Sequence, residues 1–395
     1  MELPRKRDLP LQSIKTKLPG VGTTIFTVMS QLAQEHDAIN LSQGFPDFTV
    51  PEPLLTLMDK YLRAGYNQYP PMTGVPWLRE QSAVKIAGLY EVQVDENDEV
   101  TVTSGATEAL FVAIQAMVHQ GDEVIVLDPA YDAYEPAVTL AGGKTVHISL
   151  AAPAFHVDWQ RVADAITART RLIIVNTPHN PCGSIFSAKD LDSLAGIIRN
   201  RDICVISDEV YEHMVYDGKS HHSLLTHPEL RERSFIISSF GKTYHATGWK
   251  VAYCVAPKPL SDEFRKVHQF VTFTTHTPTQ WAIAEFMETC PEHYLELLGF
   301  YQKKRDLFLE AMEASNFDMI PSEGTYFQLA DYRKITDMPD VEFAHYLTTN
   351  VGVAVIPVSV FYKSPPNDHI IRFCFAKDDN TLREAAQLLS NLEPL

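Results

Sequence analysis

Cationic residues and cysteines are both scarce in this chain. Lysine and arginine total 33 against 50 aspartate and glutamate in 395 residues, a formal charge of −17, which disfavours nucleic acid and anionic membrane surfaces as partners. An anionic small molecule would need a local basic pocket. The five cysteines, Cys182, Cys204, Cys254, Cys290 and Cys374, are odd in number and scattered, with no C-x-x-C spacing, so neither a disulfide framework nor a metal site is expected. A reduced, cytoplasmic location fits. No stretch approaches the roughly 20 apolar residues of a membrane span, and Met1 to Lys17 is too polar for a signal-peptide core. Its Arg5-Lys6-Arg7 cluster reads as a solvated arm, with a transit peptide as the alternative. Internal repeats, low-complexity tracts and long linkers are also missing.

What is present points to a large core. With 45% hydrophobic residues the chain is longer than one core usually supports, so two domains are expected. A rhythm of apolar strand, polar turn and helix runs through the middle. Glu123 to Leu127 ends in Asp128-Pro129-Ala130-Tyr131, and Arg171 to Val175 ends in Asn176-Thr177-Pro178-His179-Asn180-Pro181. Ile203 to Ile206 ends in Ser207-Asp208-Glu209-Val210-Tyr211, and Phe235 to Ile237 ends in a turn carrying Lys242. Continuous apolar runs interleaved with helices predict an α/β fold, a mostly parallel sheet covered on both faces. Beyond the strand Val251 to Ala256 the pattern becomes helical, then mixes short strands with helices. This predicts a smaller α+β domain completed by the N-terminal segment. Its last helix is expected to start at Thr381, where Glu384 gives capping-box spacing.

Ligands of open parallel sheets bind beyond the carboxyl ends of the strands. Tyr131, Asn180, Asp208, Tyr211 and Lys242 all fall at such ends. Thr101 to Leu110 runs from a strand into a helix through small residues, and Gly105, Ala106 and Thr107 read as a phosphate cup built from free backbone N–H groups. Together these are the parts that hold pyridoxal phosphate, an electron-sink cofactor. Asp208 would keep its ring nitrogen protonated, Tyr211 and Asn180 would hydrogen-bond its phenolic oxygen, and Tyr131 would stack on the ring. A desolvated lysine with a lowered pKa suits Lys242. Taken singly, each has a plainer reading: an ordinary N-cap for Gly105 to Thr107, a helix-start aspartate, an Asx turn at Asn180, a packing aromatic at Tyr131, a surface lysine.

With these residues in view, the chain resembles the fold-type-I, class I pyridoxal-phosphate aminotransferases. The likeness rests on Ser42 to Phe48, Asn67-Gln68-Tyr69, Ser104 to Leu110, Asn176 to Pro181, Ser207 to Glu212, Ser239-Phe240-Gly241-Lys242 and Arg372, in family order along nearly the whole chain. Gly22 to Phe26 and Gly241 to Lys250 narrow it toward methionine aminotransferases and the kynurenine/glutamine transaminases. The resemblance implies a seven-stranded-type sheet in a large domain over 47–284, an arm and part of the small domain over 1–46, and a small domain over 285–395. It implies Lys242 as the lysine that bonds the cofactor, Asp208 as the ring-nitrogen partner, and Gly105, Ala106, Thr107 and Ser239 on the phosphate. Lys250 stands where many relatives carry arginine, giving the phosphate charge without a bidentate fork. Tyr69 would reach the phosphate from the partner of a homodimer with shared active sites. Arg372, Asn180 and the Gly44 backbone would clamp the substrate α-carboxylate.

The implied reaction is ping-pong transfer of an amino group from an amino acid to a 2-oxo acid. A β-lyase acting on cysteine conjugates with the same cofactor is the alternative, and a non-enzymatic sensor lacks any DNA-binding extension to support it. Between Arg265 and Arg305 there is no arginine, where aspartate-specific relatives place a side-chain-binding one. The pocket is expected to take methionine, then aromatic residues and glutamine. Phe26 and Phe361 read equally as pocket lining or core, and the resemblance implies that His276 comes from the partner subunit.

Overall fold

A strand that is apolar at every position needs cover on both sides, because successive side chains point to opposite faces. In the strand Glu123–Asp128, Val124 and Val126 enter one core while Ile125 and Leu127 enter another. The computed structural model describes residues 15–395, so Arg5-Lys6-Arg7 lies outside the described residues. In chain order the strands are β1 (Ile39–Asn40), β2 (Val100–Thr103), β3 (Glu123–Asp128), β4 (Lys144–Ser149), β5 (Thr170–Asn176), β6 (Cys204–Asp208), β7 (Ser234–Ser239) and β8 (Ala252–Val255), followed by β9 (Asp318–Ile320), β10 (Phe327–Asp331), β11 (Val353–Ala354), β12 (Ile356–Pro357) and β13 (Ile370–Cys374).

The seven strands β2 to β8 form one sheet in the order β2-β8-β7-β6-β5-β3-β4. Only β8 runs against its neighbours, being antiparallel to both β7 and β2. The mostly parallel sheet expected from the sequence is therefore present. Helices Glu52–Arg63, Pro76–Tyr90, Ala188–Ile198 and Thr277–Thr289 cover one face. Ala106–Met117, Tyr134–Leu140 and Lys258–Val271 cover the other. Sequence reading passed over β4, whose residues are mostly only half-buried and lack the continuous apolar signal of the inner strands.

The second unit packs helices around the antiparallel sheet β12-β13-β10-β9. Its core contains Tyr301, Phe308, Phe343, Phe373 and Leu389. The segment Val353 to Pro357 serves two sheets: β11 pairs in parallel with β1, and β12 pairs antiparallel with β13. The N-terminal part of the chain is thereby tied to this unit. The helix Thr277–Thr289 runs across residue 284, and its Phe286 and Met287 pack in a core shared with the seven-stranded sheet.

The last helix corrects a sequence expectation. It spans Asp379–Ser390 with Asp378 at its N-cap position, so Thr381 and Glu384 lie inside it and form no capping box. The helix Ala188–Ile198 does carry one, with Ser187 accepting from the Asp190 N–H and Asp190 accepting in return.

Candidate active site

The carboxyl ends of the parallel strands converge on a cavity of about 280 Å³. Asp208 closes β6, Asn176 closes β5 and Ser239 closes β7, and each is followed by a turn that delivers a further group: Tyr211, Asn180 and Lys242. Because β8 runs the other way, the residues that precede it arrive at this same edge, which brings in Lys250. The second unit adds Arg372 from β13 and Phe327 from β10; the N-terminal segment adds Phe26 and Gly44.

Lys242 opens the floor of the cavity. Its backbone N–H donates to the Ser239 side chain at 3.4 Å, capping the short helix Phe240–Thr243. Its Nζ donates to the Tyr326 hydroxyl at 2.9 Å and to the Gly44 carbonyl at 3.1 Å. Burial, helped by the nearby Lys250 and Arg372 charges, lowers this amine to about 8. The surface-loop reading of Lys242 is thus excluded. Asp208 is buried and pushed up to about 6 by that burial, against hydrogen bonds from the Tyr134 hydroxyl at 2.7 Å and the Val210 N–H at 3.4 Å. Asn176 donates from Nδ2 to the Asp208 carbonyl and accepts the Asn180 N–H at Oδ1, both at 2.7 Å. It therefore locks the β5 and β6 turns together.

Arg372 is fully buried. Its Nη1 donates to Asn180 Oδ1 at 2.9 Å and its Nη2 to the Ser42 carbonyl at 2.8 Å, while Nε has no partner among the described residues. The guanidinium carbon lies 3.9 Å from the Phe327 ring centroid and 5.4 Å from that of Phe26. Burial lowers its pKa to about 10, still cationic at neutral pH. Phe361 does not line the cavity itself. It packs against Phe26 with ring centroids 5.7 Å apart and belongs to the core of the second unit, so it backs the wall that Phe26 presents.

The anion end is built at the start of the helix Ala106–Met117. Gly105 holds the N-cap position at φ +89° with no side-chain cap, leaving the first turn's N–H groups for an incoming anion. A Cβ at Gly105 would sit 3.0 Å from Lys250 Cε and 3.2 Å from its Nζ, so glycine both permits the backbone and lets the ammonium approach. Tyr131 stands beside Thr107, with Oη 3.4 Å from Oγ1. An amine, a buried carboxylate, an aromatic ring and a cationic helix start around one cavity fit a pyridine ring carrying an aldehyde and a phosphate. The unpartnered Arg372 Nε and its fork fit a separate carboxylate beside it.

Two expected residues lie elsewhere. Tyr69 is 84% exposed, with its ring 5.6 Å from that of Phe273. His276 lies near it in a shallow depression shared with Asn67, Gln68 and Thr274. Neither touches the cavity of its own chain. Sequence reading also missed Tyr134, Asn176 and Tyr326, whose partners become visible only once the turns are brought together.

Comparison with known proteins agrees with this geometry. The family model described as aminotransferase class I and II matches residues 36–389. Methionine aminotransferase of Escherichia coli is 52% identical, over 96% of this chain and 98% of its own length. Kynurenine–oxoglutarate transaminase 1 of Mus musculus is 35% identical over 93% and 95%. A solved Escherichia coli structure whose authors identify a methionine aminotransferase function superposes with a TM-score of 0.95 at 52% identity, covering 97% of this chain and 100% of that one.

Proposed function

Because the chain belongs to the class I and II aminotransferases, enzymes that depend on pyridoxal phosphate, we propose that it moves the amino group of a neutral L-amino acid to a 2-oxo acid by a ping-pong mechanism, with methionine preferred over aromatic residues and glutamine. The observation that carries this is the gathering of Lys242, Asp208 and the Arg372–Asn180 pair around one cavity. When bound, the cofactor supplies a sink for the electron pair left on Cα. Lys242 Nζ would take the substrate Cα proton and hold it for return, a role suited to an amine near 8. Asp208 supplies a negative charge at the ring-nitrogen end. Gly105, Ala106, Thr107, Ser239 and Lys250 hold the phosphate end, and Tyr131 covers the ring. Tyr211 and Asn180, both lining the cavity, would hydrogen-bond the ring's phenolic oxygen. Arg372, Asn180 and Gly44 orient the substrate through its α-carboxylate, and Phe26 and Phe327 keep water from that contact.

Side-chain preference follows from what faces the rest of the cavity. Its cations are Lys242, Lys250 and Arg372, each already assigned. Arg265 instead donates to Thr101 and the Val100 carbonyl, and Arg305 to Asp217. A second carboxylate would therefore lack a fixed cation, while Phe26, Phe45 and Leu110 offer apolar contact. Methionine is also what the Escherichia coli relative acts on by name.

The functional unit is a cytoplasmic homodimer with shared active sites. Support comes from the exposed side chains of Tyr69 and Phe273, whose rings stand 5.6 Å apart, and of Phe270 (85% exposed) and Val271, with Tyr69 sharing a depression with His276; a second copy would cover them and bring Tyr69 and His276 to its neighbour's cavity. All five cysteines are free, as a reducing compartment requires, and no helix among the described residues is long and apolar enough to cross a membrane. Measuring kcat/KM for methionine, phenylalanine, glutamine and aspartate with one common 2-oxo acid tests the preference. Methionine should lead and aspartate should trail; aspartate in first place would overturn it.

A further inference from the structure

The Lys242 amine rests on a specific pair of acceptors. Its Nζ donates to the Tyr326 hydroxyl at 2.9 Å and to the Gly44 carbonyl at 3.1 Å, and the Tyr326 hydroxyl gives its own proton to that same carbonyl. With its proton committed to Gly44, the phenol oxygen can only accept from Lys242. Tyr326 is wholly buried, its ring wedged among Tyr211, Phe327 and Tyr301 at centroid distances of 5.1, 4.9 and 5.7 Å. Packing therefore fixes where the hydroxyl points. Gly44 lies in the loop that Arg372 grips at the Ser42 carbonyl and that Lys377 grips at the Phe45 carbonyl. A Cβ on Gly44 would come within 2.8 Å of Phe327 Cζ, so the carbonyl cannot be shifted by a larger residue without moving that ring.

A lysine that alternates between a bonded and a free state needs a defined place when free, because its four-carbon stem is flexible and a misplacement of about 1 Å can cost roughly 10²-fold in rate. We propose that Tyr326 is a positioning residue for the reaction: its hydroxyl and the Gly44 carbonyl form the dock that holds Lys242 Nζ whenever the amine is not bonded to the cofactor. The dock accepts from the amine and so favours its protonated form, opposing the burial that disfavours it. Because Gly44 also belongs to the carboxylate-binding loop, the dock couples the amine's position to the seat of the substrate. This inference rests on the reading of Lys242 as the cofactor-bonding lysine.

The test uses the full-length enzyme loaded with pyridoxamine 5′-phosphate, the form in which Lys242 is free, and compares it with Tyr326→Phe, which keeps the ring. Trace acetylation with acetic anhydride across pH 6–10, followed by mass spectrometry of the Lys242 peptide, reads the amine's midpoint. Loss of the acceptor should lower that midpoint by about 0.5–1 unit, a three- to tenfold change in proton affinity, and lower kcat by about tenfold while pyridoxamine-phosphate affinity stays within about twofold. A hydroxyl that merely fills space or satisfies Gly44 would lower the melting temperature or raise KM and leave the Lys242 midpoint in place; that result overturns the proposal. The parent reading is tested separately by borohydride reduction of the pyridoxal-phosphate-loaded wild type: cofactor mass on the Lys242 peptide upholds it whatever the Tyr326 variant does.

Discussion

The Tyr134 hydroxyl donates a 2.7 Å hydrogen bond to Asp208 Oδ2, so the carboxylate at the back of the cavity is steered by a phenol from the helix Tyr134–Leu140. This bond favours the charged carboxylate and opposes the burial that raises Asp208 to about 6. Tyr134→Phe removes it, and Asp208 should then titrate about one unit higher. Cofactor affinity, which depends on the carboxylate form, should begin to fail on the acid side at a correspondingly higher pH. Fluorescence titrations with pyridoxal phosphate between pH 5 and 8 check this; an unmoved acid limb would show that the phenol does not tune Asp208.

Asp208 itself carries a stability cost in the cofactor-free protein. Its folded value of about 6 stands above the unfolded 3.8, so the native state binds the extra proton and stability falls as pH rises from about 4 to about 6. Asp208→Asn should escape that loss. Without cofactor it should be more stable than wild type above pH 6 by about 3 kcal/mol, and no more stable below pH 4. Loaded with cofactor, it should transaminate slower by orders of magnitude. Urea melts at pH 3.5 and 7 and steady-state rates measure the two halves; equal stability at both pH values would contradict the assignment.

Arg372 grips what all amino-acid substrates share. Arg372→Ala should lower kcat/KM for methionine, phenylalanine and glutamine alike, by about 10²- to 10⁴-fold if two charge-assisted bonds of roughly 1.5–3 kcal/mol are lost. Arg372→Lys should recover only part, because an ammonium lacks the fork. A loss confined to one side-chain class would assign Arg372 to specificity instead.

Under the sheet edge, Glu212 joins Lys85 at 2.6 Å and accepts from Tyr90 and Ser238, with both members of the ion pair 3% exposed. Burial alone would raise Glu212, but Lys85 and His213 beside it hold it well below the usual carboxylate range. Lys85→Met strands that charge and should cost about 3–5 kcal/mol of stability. The double variant Lys85→Met/Glu212→Gln should regain a large part in a urea melt. A double variant no better than the single one would mean that Lys85 acts through packing alone.

The parallel sheet and its polar edge were legible because buried strands announce themselves as unbroken apolar runs and their ends as turns: Asp208, Asn180, Tyr211 and Lys242 all lie where those ends predicted. Tyr134 and Tyr326 were not legible. An aromatic residue beside a helix start or a strand start has a packing reading of its own, and the hydroxyl's partner is set by the meeting of distant segments: Asp208 lies 74 residues from Tyr134, and Lys242 lies 84 from Tyr326. The capping-box expectation at Thr381 failed because spacing marks a possible cap without showing where the apolar face begins. Here Leu382, Ala385, Ala386 and Leu389 are buried, and the helix starts a turn's fraction earlier at Asp379.

The most direct test of the account is a single half-reaction. Pyridoxal-phosphate-loaded enzyme, mixed with methionine and no 2-oxo acid, should lose the absorbance of the lysine-bound cofactor, gain that of pyridoxamine phosphate, and release one equivalent of the methionine-derived 2-oxo acid per site before stopping. Lys242→Ala should release no 2-oxo acid and accumulate no pyridoxamine phosphate while still holding the cofactor, since the phosphate end does not depend on that amine. Continuous turnover on an amino acid alone, with ammonia released and no pyridoxamine phosphate accumulating, would identify an eliminating enzyme and contradict the account.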